Sequence, residues 1–205
     1  METLERKGHL PMKVLVACEY SGTVREAFRK KGHDAISCDI IPTVIPGPHY
    51  EGDIFDILYD DWDIMIAHPP CTYLSNAGAR HLYPKGVLNE ERYKKGLEAK
   101  EFFMKLWEIP HIDKVCVENP ISSKVFEMPL HSQEIQPYEY GHPLSKRTRL
   151  WLRNLPPLMP TDIVEKTENC HGAKGTWINK GGLDRQKRRA KFFQGWADAM
   201  ADQWG

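Results

Sequence analysis

Along this chain, short apolar runs alternate with turns and amphipathic stretches, and each run ends in a polar or reactive residue. Residues 13–18 (KVLVAC) are apolar and rich in β-branched side chains, and they read as a buried strand with a turn over 19–22. Residues 23–31 place Val24, Ala27 and Phe28 on one helical face, and Gly32 stops the helix. Residues 35–40 (AISCDI) are a second strand, ending around Asp39. Strand, turn, helix and strand in this order form a βαβ unit, which calls for a parallel sheet. The expected fold class is α/β: a Rossmann-like, mostly parallel sheet with helices on both faces.

Residues 42–48 are a proline-rich connection, and Gly52-Asp53-Ile54 follows. Residues 63–67 (DIMIA) are another buried strand, running straight into His68-Pro69-Pro70-Cys71. Residues 89–108 predict a long amphipathic helix with Tyr93, Leu97, Phe102, Leu106 and Trp107 near its apolar side. Residues 114–117 (KVCV) are the next strand, leading into Glu118-Asn119-Pro120. Residues 135–140 and 150–152 mark late strands, read as an antiparallel pair. Residues 154–182 are polar and rich in Pro and Gly, as a loop or small insertion is, and residues 190–204 predict a final amphipathic helix. A length of 205 residues fits one domain across the chain.

Composition narrows the function classes. With 28 basic against 28 acidic residues the net charge is zero, so the chain as a whole is no strong non-specific nucleic-acid binder. Nucleic-acid contact falls to local patches: Arg185, Lys187, Arg188, Arg189 and Lys191, or Lys146, Arg147, Arg149 and Arg153. Each is equally readable as solvated surface. Five cysteines without a CxxC pair argue against a disulfide framework and a structural zinc site, so no metal is expected, Cys170 and His171 being the alternative start of one. Thiols in that number fit a reducing compartment, and no apolar run approaches the roughly 18 residues of a membrane span. A cytoplasmic protein is expected.

In open α/β sheets, ligands bind beyond the carboxyl ends of the strands. Here those ends carry Cys18 and Glu19, then Asp39, then His68 to Cys71, then Glu118 and Asn119. Asp39 suits a ribose diol, since a carboxylate accepts from two hydroxyls; alternatively it is a turn residue. Asp53 either accepts from an adenine amino group or caps a short helix. Cys71 follows two prolines that fix its backbone, and a neighbouring cation from His68, Arg80, Arg147 or Arg149 would favour its nucleophilic thiolate. The other reading is an inert thiol in a tight loop. Glu118 either binds a base edge or acts as an acid, or else it is a capping or salt-bridged glutamate.

These residues stand in a familiar order. Pro70-Cys71-Thr72-Tyr73-Leu74-Ser75-Asn76-Ala77-Gly78 resembles the proline–cysteine loop of the C5-cytosine DNA methyltransferases. Glu118-Asn119-Pro120 resembles their Glu-Asn motif, Arg147-Thr148-Arg149 their Arg-x-Arg motif, and Gly52-Asp53-Ile54 their cofactor-side segment. The segment 14–22 sits where their glycine-rich loop would be, and 195–204 where their last helix packs. In size the chain is similar to small phage or prophage members.

The resemblance implies an S-adenosyl-L-methionine-dependent transferase acting on cytosine in DNA. Cys71 would add to carbon 6, and Glu118 would hold and protonate N3. Carbon 5 would take the methyl group, and loss of its proton would release Cys71. Arg147 and Arg149 would orient the base or a phosphate, with Ser75 and Asn119 as further substrate contacts. Cys18, Glu19, Tyr20, Ser21, Gly22, Asp39, Ile40, Asp53, Ile54 and Pro69 would surround the cofactor, Asp39 at its ribose and Asp53 at its adenine. In a duplex the base must flip out of the stack.

The chain departs from the family pattern in three places. The cofactor loop ACEYSG keeps only its last glycine, His68 precedes the two prolines, and 154–184 is a short loop where the family carries a target-recognition domain. A partner or a homodimer would then supply recognition, or the acceptor is a free pyrimidine nucleotide, RNA or a modified base. A non-catalytic nucleic-acid-binding relative is the remaining alternative.

Overall fold

The computed structural model describes residues 10–169 and 192–205. The basic cluster at 185–191 and the 170–184 part of the expected loop lie outside them, as do the first residues of the expected last helix and the side chain of Arg80.

β1 (Lys13–Ala17) turns at Gly22 into α1 (Thr23–Lys30) and returns as β2 (Asp34–Asp39). β3 (His49–Glu51) and β4 (Ile64–Ala67) follow, then the short α2 (Ala79–Leu82) and the long α3 (Glu90–Trp107). The later elements are β5 (Lys114–Pro120), β6 (Gln133–Ile135), β7 (Leu144–Ser145), β8 (Thr148–Arg153), β9 (Glu168–Asn169) and α4 (Gln194–Trp204). Seven strands form one sheet in the order β3-β2-β1-β4-β5-β8-β6. β3 to β5 run parallel with their neighbours, and only β8 is antiparallel, to both β5 and β6. This is the expected α/β Rossmann-like sheet, with α1 and α4 on one face and α3 on the other.

The apolar strands have no polar face because both faces are covered. In β1, Val14 and Val16 join the core under α1 and α4, while Leu15 and Ala17 join the one under α3. The order reverses between β1 and β4. That reversal opens a crevice at the carboxyl edge, the place where such sheets bind ligands.

Several local expectations need correction. Residues 135–140 do not form a strand. β6 ends at Ile135, and Pro137, which has no N–H to give a ladder, starts a 3₁₀ turn over Pro137–Glu139. The late antiparallel strand is longer than expected, and its partners are β5 and β6. β5 continues through Glu118 and Asn119, because β8 pairs with it as far as Pro120. β3 was unforeseen; three residues after a proline-rich loop give no periodicity. On α3, Leu97 is 43% exposed, and the buried positions are Gly96, Phe103 and Leu106. Gly96 faces the ring of Phe126, where a methyl group would collide, so the helix packs closely at that point.

Candidate active site

Four segments converge on the crevice. Beyond β1, Cys18 takes a left-handed conformation at φ 58°. The next residue, Glu19, bonds across to β2 through its N–H on the Cys38 carbonyl (3.0 Å). Its carboxylate turns inward: Oε1 accepts from Ser21 Oγ and Val24 N, both at 2.8 Å, and Oε2 from Arg25 N at 3.2 Å. The N-terminus of α1, a natural anion site, is thus filled by the protein's own anion. Gly22, the one glycine kept in this loop, is the residue that needs positive φ, at 75°.

Asp39 ends β2 and is half-exposed, with Oδ1 accepting from Ile41 N (3.3 Å). Burial, only partly offset by backbone N–H groups, raises its carboxyl above the ordinary value. Burial and then the Asp39 charge push the Cys18 thiol strongly upward, with Cys38 and Asp53 adding to it, so these groups share one electrostatic neighbourhood. Burial, and after it Asp39, also raises the Tyr20 hydroxyl. Asp53 is the N-cap of a short 3₁₀ turn, accepting from Phe55 N at 3.0 Å. Ile54 is 4% exposed and belongs to the core, whereas Ile40 is 78% exposed and forms an open aliphatic rim beside Asp39.

One residue here escaped the sequence. Arg25 is completely buried beneath the loop that follows Asp39. Its guanidinium donates to Glu26 Oε1 (2.8 Å), Ser37 Oγ (2.9 Å), Thr43 Oγ1 (3.2 Å) and the carbonyls of Ile45 and Pro48. Ser37 Oγ lies 2.9 Å from His49 Nδ1, and His49 Nε2 lies 3.0 Å from the Ile41 carbonyl. That carbonyl can only accept, which places a proton on Nε2. The network ties both ends of loop 40–48 to β2. An arginine between Val24 and Ala27 looks like solvated helix surface in a sequence; only the loop above it shows otherwise.

The second half of the crevice lies beyond β4 and β5. Ala67 pairs with Val117, so His68 and Glu118 leave adjacent strands at the same level. His68 Nδ1 is 3.6 Å from Glu118 Oε2, just beyond hydrogen-bond reach. Pro69 is buried, and Cys71 is a half-buried thiol three residues beyond His68. The Cys71 loop is clamped to the chain after β5. Ser75 N donates to the Cys71 carbonyl, Asn76 N to Ile121 O and Ser123 N to Leu74 O, each at 2.8 Å. Asn119 shapes that turn, its Nδ2 donating to Pro120 O (2.7 Å) and Ser122 Oγ (2.9 Å). Beside the loop lies a pocket of about 400 Å³, with Asn76, Tyr83, Ser122, Ser123 and Lys124 in its wall.

Burial would raise the Glu118 carboxyl, but His68 and the Lys146 ammonium outweigh it and hold the group below its ordinary value. Both ring nitrogens of His68, Glu118 Oε1 and Asn119 Oδ1 are buried without a hydrogen-bond partner. Such atoms are rare and costly, and four together at the carboxyl ends of adjacent strands call for a polar ligand. The His68 ring packs on Phe192 at 4.4 Å between centroids, and Lys146 lies over the rings of Phe193 and Trp196 just before and within α4.

The two arginines expected at the reacting centre share a carboxylate partner. Arg147 Nε is 3.5 Å, and Arg149 Nε 3.0 Å, from the carboxylate of Glu134 on β6. Among the described residues no three His, Cys, Asp or Glu side chains are grouped to hold a metal ion. No described helix is long and apolar enough to cross a membrane.

No family model matches the sequence, and neither does any curated protein. The chain is similar to the solved structure of the Entamoeba histolytica methyltransferase EhMeth, at 14% identity and a TM-score of 0.45. The likeness covers 83% of this chain and 59% of that one, so the chain spans less than two thirds of it.

Proposed function

We propose that this protein is an S-adenosyl-L-methionine-dependent methyltransferase that methylates carbon 5 of cytosine in DNA through a covalent bond to Cys71. The observation that carries this reading is the clamped Cys71 loop after β4 together with Glu118 on the adjacent β5, whose buried Oε1 has no hydrogen-bond partner. A pyrimidine edge presents an amino donor and a ring-nitrogen acceptor, which a carboxyl group matches in two contacts. The cofactor, when bound, supplies an electrophilic methyl group. Asp39 would accept from its ribose hydroxyls, which would relieve a carboxylate already disfavoured by burial. The exposed side chain of Ile40 would contact the adenine, and Asp53 would take its amino group. Cys18 to Gly22 pass the methionine part along backbone atoms, since Glu19 is committed to α1.

Cys71 attacks carbon 6, Glu118 holds the base edge, and Ser75 and Asn119 keep the two loops in register. A second reading keeps this chemistry but changes the acceptor to a free pyrimidine nucleotide, RNA or a modified base. The engagement of Arg147 and Arg149 by Glu134 favours it, since both cations are partly neutralised before any phosphate arrives. Transfer of a labelled methyl group to duplex DNA, single-stranded DNA, RNA and deoxycytidine monophosphate decides between the two. The proposal expects DNA labelled at carbon 5 by the native protein. Cys71→Ala should label nothing while binding the cofactor normally. A fully active Cys71→Ala protein contradicts the covalent route.

A further inference from the structure

We infer that His68 acts through Glu118, as the source of the proton that Glu118 delivers to N3 of the pyrimidine. The inference rests on the proposed C5 chemistry. It begins from the unpartnered atoms. His68 has a protein neighbour for its charge, Glu118 at 3.6 Å, yet neither ring nitrogen has a hydrogen-bond partner. A structural histidine packed on Phe192 would normally bond at least one nitrogen to a carbonyl or a carboxylate.

The charges around the pair supply the need for such an acid. The groups facing it are Glu118 itself from β5 and Lys146 from the turn before β8. Cys116, two residues earlier on the same face of β5, also feels the Glu118 charge. His68 and Lys146 keep Glu118 ionised despite its burial. An ionised carboxylate accepts from the 4-amino group of cytosine but has no proton to give to N3. The imidazole beside it can provide one.

The step balances. A sulfur lone pair of the Cys71 thiolate forms the bond to carbon 6. The C5–C6 π pair moves to C4–C5, and the C4–N3 π pair moves onto N3. Protonated His68 passes its proton to the Glu118 carboxylate, which hands it on to N3, leaving a neutral imidazole and a carboxylate. When carbon 5 loses its proton and Cys71 departs, the N3 proton returns along the same route. Neither oxidant nor reductant is involved, and the addition is reversible without the methyl donor.

That reversibility provides a readout independent of the cofactor: exchange of the cytosine H5 for deuterium in an oligonucleotide, followed by proton NMR in D₂O. The native protein should catalyse exchange, with a rate that falls toward alkaline pH as the acid is lost. His68→Gln and His68→Asn should slow exchange by about 100-fold or more and lose that alkaline limb. Their oligonucleotide Kd and Tm should stay near native values. Lys146→Met, which leaves His68 in place, should move the limb to higher pH, because the carboxyl is then easier to protonate. If His68→Gln keeps the native pH profile, or loses rate only as it loses folded protein, His68 is structural and the inference is overturned. An unmoved limb in Lys146→Met overturns it too. Exchange by the native protein with an unaltered His68→Gln profile sinks the role of His68 alone. Absence of exchange by the native protein, together with absence of a Cys71 adduct, sinks the C5 chemistry and this role with it.

Discussion

Replacing Arg25 by methionine keeps an unbranched side chain of similar reach but removes every donor under loop 40–48. Five hydrogen bonds go, to Glu26, Ser37, Thr43 and the carbonyls of Ile45 and Pro48. They do not count equally. The half-buried Thr43 and the exposed Ile45 can regain water, and Glu26 keeps Arg29 nearby at 3.7 Å. Ser37 is completely buried and keeps only His49. Taking one fully buried and one half-recovered charged bond at about 1.5–3 kcal/mol each gives a loss of about 3 kcal/mol. Urea unfolding at neutral pH should show it as a midpoint lower by about 1.5 M, for a slope of about 2 kcal/mol/M. Arg25→Lys should recover little, because one ammonium cannot span acceptors placed around a planar fork. In the folded variant the cofactor Kd should rise more than the DNA Kd, since the loop carries Ile40 and follows Asp39. A methionine variant within about 0.5 kcal/mol of native stability, or a lysine variant equal to native, would refute the bracing role.

Three further outcomes are expected. Glu19→Ala leaves two backbone N–H groups at the start of α1 without their acceptor, and should cost about 2 kcal/mol in chemical unfolding, where Glu19→Gln costs less. Asp39→Asn should weaken cofactor binding about tenfold or more in calorimetry, yet raise stability at pH 7. The folded chain holds the Asp39 proton more tightly than the unfolded chain, so its carboxylate costs stability increasingly as pH rises through the raised value; the gain should vanish below the ordinary carboxyl value. Gly195→Ala places a methyl group into the Tyr140 carbonyl where α4 begins, and should lower Tm by several degrees in calorimetry by prising the helix off the sheet.

The sheet was legible because its strands are buried on both faces. Runs such as VLVA and IMIA need no periodicity to be recognised, and the residues at their ends fall at the carboxyl edge by topology alone. Lateral contacts were not legible. The buried face of α3 is set by Gly96 against Phe126, and a glycine carries no apolar signal. β6 stops at Ile135 because a proline intervenes two residues later, although tyrosines at 138 and 140 continue a strand-like alternation. Arg147 and Arg149 stand in the expected motif, but Glu134, on a neighbouring strand, determines what they face. His68 was visible in the sequence as a departure before the two prolines. Its meaning depends on Glu118, fifty residues further on and adjacent only through strand pairing.

The most direct test of the central claim is covalent trapping. The native protein is mixed with S-adenosyl-L-methionine and DNA containing 5-fluorocytosine, denatured, digested and examined by mass spectrometry. Fluorine at carbon 5 does not leave as a proton does, so a C5 transferase remains bonded to its base. The predicted result is a methylated fluoropyrimidine attached to Cys71, absent from Cys71→Ala. Cofactor binding and DNA methylation without any adduct at Cys71 would contradict the account.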